Sequence, residues 1–426
     1  MTNSSLKKAS PVYLTLFLCF CIAILEGFDI QSIGVAAPSI QAEFNLTKGQ
    51  LGWIFSAATL GMFPGAIIAG RLSDKIGRKK ILIFSVAIFG VMSLLTAFAT
   101  GFSSLVLIRF LTGIGMGGAL PLIIAMSSES VSERWSATAV SIMYAGVPIG
   151  AAITALAAGM FTEVGQWKNI FYLGGLTPLL ILPLLALFLK ETYTKSQATE
   201  DIKQNNDFKF ILFGEGRLAS TLQIWLSFLG TLIVLYFILN WLPVLMQNNG
   251  LSMKNVSNIQ VSYQVGALFG VLSLGWLLSR IKIRTVVIMI YAGILIGLSA
   301  LAISKSLTGL MFSAALSGFF LTGGQSALYA LAARVYQKSM RGTGVGVAVA
   351  MGRIGSFIGP LLAGLIFSYN SSSSFVISSS IPVIIIAAIA AIMLTNNISR
   401  KENLDKSMLG KSETTNTVNK PALIND

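Results

Sequence analysis

Residues 61–80 read Gly61-Met-Phe-Pro-Gly65-Ala-Ile-Ile-Ala-Gly70-Arg71-Leu-Ser-Asp74-Lys75-Ile-Gly77-Arg78-Lys79-Lys80. Up to Gly70 every side chain is apolar or absent; from Arg71 onward come five cations and one carboxylate, and at Ile81 the apolar character resumes. An oily helix, a short basic turn and another oily helix form the unit from which the chain is built. Hydrophobic residues make up 54% of its 426 positions, charged residues only 11%, and mean hydropathy is +0.78, more than a soluble core could hide.

Apolar segments of about 20 residues, the length that crosses about 30 Å of hydrocarbon, follow one another with short polar breaks. Twelve are predicted, at 13–35, 50–71, 80–100, 104–125, 136–160, 167–190, 219–242, 256–279, 284–303, 308–332, 342–367 and 374–395. The longest break, 191–218, separates six from six. The expected organisation is an all-α polytopic membrane protein. A cytoplasmic N-terminus (1–12) leads into a six-helix bundle (13–190), a central cytoplasmic loop (191–218), a second six-helix bundle (219–395) and a polar, disordered cytoplasmic tail (396–426). Lys7 and Lys8 before an apolar run ending at Val35-Ala36-Ala37-Pro38 imitate a secretory signal, but eleven later spans argue against cleavage.

The net charge of +14 is distributed as a topology signal rather than as a nucleic-acid surface. Odd-numbered breaks carry only Lys48, Lys168, Lys254 and Lys305; the termini and even-numbered breaks hold 24 cations, and Arg109 and Arg353 complete the 30. Positive residues collect on the cytoplasmic side, so both termini are expected there, with the bilayer as the chain's partner. The basic residues form no patch interleaved with aromatics, which speaks against nucleic acid. No histidine is present, so a proton relay must use carboxylates, and Cys19 and Cys21 face different sides of a helix, so no disulfide joins them. With no nucleophile–base pair, metal-ligand cluster or phosphate loop, an enzyme is not expected, and protons are the only cofactor-like species called for.

The opening stretch has a counterpart. Gly61, Gly65 and Gly70 are matched 205 positions later by Gly266, Gly270 and Gly275, and Phe110-Leu111-Thr112-Gly113 recurs as Phe320-Leu321-Thr322-Gly323. Duplicated halves with a site at their interface are characteristic of secondary transporters.

Four ionisable residues interrupt the apolar spans: Glu26 and Asp29 in the first, Arg109 in the fourth and Arg353 in the eleventh. Each costs about 2.5–3.5 kcal/mol on insertion scales, which marks them as functional. The four sum to zero charge. Adding a substrate carboxylate leaves one unpaired negative charge, which protonation of Glu26 or Asp29 removes; this is a physical reason for proton symport. Three residues apart on one helix, the two carboxylates are expected to act as a coupled site. Arg353 offers a guanidinium fork for the substrate carboxylate, while Arg109 is expected to take part in proton coupling with Glu26 and Asp29, the alternative being a structural partner of the acidic pair. Tyr144, Asn240, Trp241 and Gln325 are candidate polar contacts for the substrate. The plain alternatives are an interfacial belt for Trp241 and helix–helix bonds for Asn240 and Gln325.

The loop Gly70-Arg-Leu-Ser-Asp74-Lys75-Ile-Gly77-Arg78 resembles the signature loop of the major facilitator superfamily. In that reading Gly70 allows close helix approach, Asp74 meets the positive end of a neighbouring helix, and Gly70, Asp74 and Arg78 belong to a gate. The second-half equivalent, Gly275 to Lys282, has Ser279 in place of the aspartate. Arg109 with Gly113 resembles the superfamily's arginine–glycine motif. Gly146-Val147-Pro148-Ile149-Gly150 lacks the glycine before proline that marks antiporters, and is read as a kink and packing site.

Within the superfamily, Glu26-Gly27-Phe28-Asp29 is similar to the aspartate–glycine–aromatic–aspartate signature of the aromatic acid:proton symporter family, with glutamate first. Tyr236 to Pro243 and the run from Arg341 through Arg353 to Pro360 resemble the same family. Gly52 to Ala57 and Met143 to Gly150 resemble its hydroxyphenylpropionate branch. The likeness spans all twelve segments and fades in the first ten residues, in about 195–207 and beyond 396. It implies a monomeric, multi-pass protein of the bacterial cell inner membrane importing an aromatic carboxylate of hydroxyphenylpropionate, hydroxycinnamate or benzoate type. It also flags Arg341, which a cytoplasmic anchoring role explains equally well. Proton-coupled export of aromatic or drug-like compounds is the competing function.

Overall fold

A computed structural model describes residues 3–161, 165–191, 208–214, 216–336 and 340–398, with the side chains of 3–11, 137, 208, 209, 279, 341 and 342 outside the description. Among the described residues all regular structure is helical. Twelve helices are long and apolar enough to cross a membrane, numbered here as spans 1 to 12: Val12–Phe44, Lys48–Ile76, Arg78–Thr96, Phe102–Glu129, Glu133–Met160, Trp167–Phe188, Leu218–Asn248, Met253–Leu278, Ile283–Ile303, Leu307–Val335, Thr343–Tyr369 and Ser373–Ile398. They correspond one to one with the expected segments and most overrun them, while span 3 ends at Thr96 and span 6 at Phe188, short of the expected 100 and 190. The first helix runs Asn3–Phe44, passing helically through Pro38, because hydropathy marks only the oily length while backbone hydrogen bonding continues into polar flanks. Most of the expected central loop (192–207 and 215) and the tail from 399 lie outside the described residues; Phe208–Phe213 forms one short helix before span 7.

Local sequence sets the helix starts. Span 2 opens on a capping box: the Thr47 hydroxyl accepts from the Gln50 backbone N–H at 3.2 Å, and the Gln50 side chain accepts from the Thr47 N–H at 2.9 Å. Ser252, Ser306 and Ser372 cap later helices with the hydroxyl alone, each accepting from the backbone N–H three residues on. Span 5 is two helices, Glu133–Tyr144 and Gly146–Met160. Pro148 lacks the amide that would bond the Tyr144 carbonyl, so the helix breaks where a functional residue had been expected.

Spans 2 and 4 pack face to face through glycines. A Cβ at Gly61 would fall on the Phe110 carbonyl, at Gly65 on that of Ile114, and at Gly113 on that of Ala58. Spans 8 and 10 repeat this: Gly266 meets Ala315, Gly270 meets Phe319 and Gly318 meets Tyr263, every pair 205 positions on. The structural partner of Gly113 is therefore Gly318. The identical tetrapeptides Phe110–Gly113 and Phe320–Gly323 stand 210 apart, five residues out of this register, and correspond in composition only. Spans 1 and 5 pack through Gly146 on Phe20 and Gly150 on Ile24; spans 7 and 11 do so through Gly355 on Leu229 and Gly359 on Ile233, each 209 positions later.

The halves meet where span 2 faces 11, span 5 faces 8 and span 1 faces 7. Hydrogen bonds joining them gather at the end where span 1 finishes and span 2 begins. Gln31 is the hub: its Oε1 accepts from Gln260 at 2.8 Å and Gln264 at 2.9 Å, and its Nε2 donates to the Leu239 carbonyl at 3.3 Å. The Ser257 hydroxyl donates to the Ala155 carbonyl at 2.6 Å and that of Ser56 to the Phe357 carbonyl at 2.7 Å. Toward the opposite end, a Cβ at Gly70, Gly275 or Gly346 would meet no atom within 4 Å. The close helix approach expected at Gly70 is thus not made, because nothing packs on the exposed face it occupies.

Candidate functional site

The four intramembrane charges come together at the centre of the bundle, but as two unlike pairs. Arg109 clamps Asp29 with both terminal nitrogens, Nη1 to Oδ1 at 3.1 Å and Nη2 to Oδ2 at 2.9 Å, with both side chains sealed. This bidentate geometry neutralises both ions at once. Glu26, one turn earlier on span 1, is also sealed, yet neither of its carboxyl oxygens has a hydrogen-bond partner among the described residues. Close packing accounts for its burial. A Cβ at Gly27 would fall on the Val147 carbonyl and one at Gly150 on that of Ile24, so spans 1 and 5 meet backbone to backbone beside it. The Thr154 hydroxyl ties the same contact by donating to the Phe28 carbonyl at 2.9 Å.

The strongest charge acting on Glu26 is Arg353, followed by Asp29. Arg353 is half-buried and has no carboxylate within 4 Å among the described residues. Its Nη1 donates to the Tyr236 hydroxyl at 3.3 Å and lies 3.7 Å from the Met62 sulfur. Tyr236, Tyr329, Tyr144 and Glu26 are its electrostatic neighbours, drawn from spans 7, 10, 5 and 1. Tyr144 and Arg353 are equivalents of the two halves: each stands two residues before the first packing glycine of its span, Gly146 and Gly355. The pseudo-two-fold therefore brings a cation from one half opposite a phenol from the other. A cation without a counter-ion, a carboxyl group without a partner and three phenols make a place where an anion and a proton can be exchanged.

Other expected contacts sit elsewhere. Trp241 is fully sealed, donates Nε1 to the Pro360 carbonyl at 3.0 Å, and packs edge-on against Phe55 and Phe367 at 5.2 and 5.6 Å between ring centroids. Packing at the closed end thus takes up its ring faces and its N–H. Asn240 donates its amide to the Tyr236 carbonyl at 2.8 Å within its own helix. Gln325 is buried one turn before Tyr329. Tyr329 and Met62 had not been singled out from sequence; the signal available for Tyr329 was its place four residues after Gln325, on the same face of an apolar helix.

At the basic end, Arg78 is hydrogen-bonded to Glu129. The carboxylate at the positive start of span 3 is Glu191, which accepts from the backbone N–H of Arg78 at 3.0 Å and of Lys79 at 3.2 Å. Asp74, expected to meet a helix end, is exposed and acts on Arg78 through space. Gly77 is required here by its φ of +98°, and a Cβ would also strike Glu191. Arg341 opens its helix, but its side chain lies outside the described residues.

The sequence profile of the Major Facilitator Superfamily matches residues 19–308 and 245–422. The chain belongs to the major facilitator superfamily. Among relatives in that superfamily, the 3-(3-hydroxy-phenyl)propionate transporter of Escherichia coli (strain K12) is 42% identical over 399 residues, covering 94% of this chain and 98% of that protein. The gallate transporter of Pseudomonas putida is 31% identical over 390 residues, covering 84% and 86%. The fold is shared with the crystal structure of a bacterial homolog to the human lysosomal transporter Spinster, at a TM-score of 0.75 and 18% identity, covering 92% of this chain and 98% of that one.

Proposed function

We propose that this major facilitator imports an aromatic carboxylate of hydroxyphenylpropionate, hydroxycinnamate or benzoate type together with protons, working as a monomer in the bacterial cell inner membrane. Relatives named for 3-(3-hydroxy-phenyl)propionate and for gallate, both aromatic acids, support the substrate class. The observation that carries the mechanism is the pairing of Arg353, with no carboxylate within 4 Å among the described residues, and Glu26, a sealed carboxyl group with no hydrogen bond among them. Asp29 and Arg109 cancel one another and serve to hold span 4 against span 1. With that pair closed, the net charge of the site depends on Glu26, Arg353 and the ligand. A carboxylate bound by Arg353 and Tyr236 leaves an ionised Glu26 uncompensated in a poorly solvated place, so substrate and proton are taken up together.

The distribution of basic residues supports cytoplasmic termini (1–12 and 396–426) and a cytoplasmic central loop (191–218) between bundles 13–190 and 219–395. On that topology the hydrogen-bonded end around Gln31 is periplasmic, and the conformation described opens to the cytoplasm. Gly70, Asp74, Arg78 and Arg341 then lie at the cytoplasmic gate, where Arg78 and Glu129 join spans 3 and 4. Competition against uptake of radiolabelled 3-(3-hydroxyphenyl)propionate in cells, with benzoates, cinnamates and phenylpropionates, tests the reading. Aromatic acids should compete and aliphatic acids should not; active expulsion of the label would oppose it.

A further inference from the structure

The seam between spans 2 and 11 carries a cation at each extremity. At the centre of the bundle, Arg353 of span 11 lies 3.7 Å from the Met62 sulfur of span 2. At the end that Gln31 ties together, the Lys48 ammonium of span 2 stands over the ring of Phe367 of span 11, 4.6 Å from its centroid. Fourteen positions separate the two contacts on either helix, about 21 Å at helical rise. Between them the backbones touch. A Cβ at Gly364 would meet the Lys48 carbonyl at 2.8 Å and one at Gly52 the Pro360 carbonyl at 3.0 Å, and the Ser56 bond to Phe357 follows. Lys48 differs from the other lysines at this end. Lys168 is paired with Glu43 at 3.3 Å, and Lys254 and Lys305 are exposed. Lys48 is half-buried, has no carboxylate within 4 Å among the described residues, and donates to the neutral Gln41 amide oxygen at 3.0 Å. A ring face attracts an ammonium without cancelling its charge.

Resting on the proposed uptake of a carboxylate and on this end being periplasmic, we propose that Lys48 is an outer capture site for the ligand's carboxylate, used before Arg353. The ring over Lys48 belongs to the other half, so parting spans 2 and 11 takes the ring away. Gln41 belongs to the same half as Lys48, so the parted seam leaves the ammonium braced at its mouth. An anion entering there meets Lys48 first and Arg353 about 21 Å further in, too far for a single-ring acid to touch both. The two cations are therefore used in turn. A charge at the mouth of a cleft speeds the arrival of the opposite charge, and salt screens the effect.

The test measures initial uptake of radiolabelled 3-(3-hydroxyphenyl)propionate by cells at about 10 mM and about 150 mM salt, with osmolarity balanced by sucrose. The full chain is compared as wild type, Lys48→Gln, Lys48→Arg and Phe367→Leu. In wild type KM should rise as salt is raised. Lys48→Gln should raise KM about tenfold at low salt, the lower end of the range for steering by charge, with a maximal rate within about twofold and little further response to salt. Lys48→Arg should behave as wild type. Phe367→Leu removes the ring but keeps the cation, and should retain the salt response; were Lys48 only a latch between the halves, losing ring or cation would act alike. A wild-type KM indifferent to salt, an unchanged KM in Lys48→Gln, or a Phe367→Leu protein that behaves as Lys48→Gln would overturn the proposal. No uptake of the label by wild type at either salt concentration would instead overturn the substrate reading on which it rests.

Discussion

Asp29 is held by both terminal nitrogens of Arg109, at 3.1 and 2.9 Å, while Glu26, three residues before it on the same helix, has no hydrogen bond on either oxygen among the described residues. Two carboxylates that look interchangeable in sequence have been given different partners. Asp29 is electrically complete; Glu26 is not, and the cation that acts on it most strongly is Arg353.

Replacing Asp29 by asparagine removes one ion of a sealed pair. The loss leaves Arg109 uncompensated and is expected to destabilise the protein by about 3–5 kcal/mol, so accumulation should fail together with yield and thermal stability. Fluorescence-detected size exclusion and thermal unfolding in detergent measure this. An Asp29→Asn protein as stable as wild type and with normal concentrative uptake would break the assignment of Asp29 to the Arg109 clamp.

Arg353→Lys keeps the charge but replaces a planar fork by a point charge that cannot hold two carboxylate oxygens while also reaching Tyr236. Loss of a charge-assisted hydrogen bond worth about 1.5–3 kcal/mol predicts a rise in KM of about ten- to a hundredfold with little change in the maximal rate. Initial-rate uptake over a range of substrate concentrations provides the readout.

Gln31 accepts from two glutamines of span 8 and donates to span 7, three bonds that exist only while this end is closed. Gln31→Ala should shift the population toward the conformer open at that end by about ten- to two-thousandfold, taking about 0.5–1.5 kcal/mol for each of the three bonds lost. Spin labels flanking the two glutamines should report longer distances; an unchanged distribution would mean the closed end is held without the Gln31 bonds.

Much of this was legible in the sequence because it rests on hydropathy and on rare residue types. Twelve oily segments, a duplicated glycine pattern and four intramembrane charges can be read without coordinates. Pairing cannot: nothing in Glu26-Gly27-Phe28-Asp29 says which carboxylate Arg109 reaches, because that depends on the depth at which span 4 crosses span 1. Nor does the sequence say that the Trp241 N–H finds the Pro360 carbonyl 119 positions away. The tetrapeptide at Phe320 misled by composition, and only glycine-to-carbonyl packing fixes the register at 205. At the signature loop, the helix-start carboxylate proved to be Glu191, which follows span 6, rather than the neighbouring Asp74.

The central claim is that Glu26 carries the proton that accompanies the ligand, and proteoliposomes with a trapped pH dye test it most directly. Addition of 3-(3-hydroxyphenyl)propionate to wild-type vesicles should acidify the lumen and should do so less as external pH is raised, because proton supply falls. Glu26→Gln, permanently neutral, should still exchange labelled for unlabelled substrate but without acidification and without that pH dependence. Substrate entry without proton movement in wild type, or undiminished acidification by Glu26→Gln, would contradict the account.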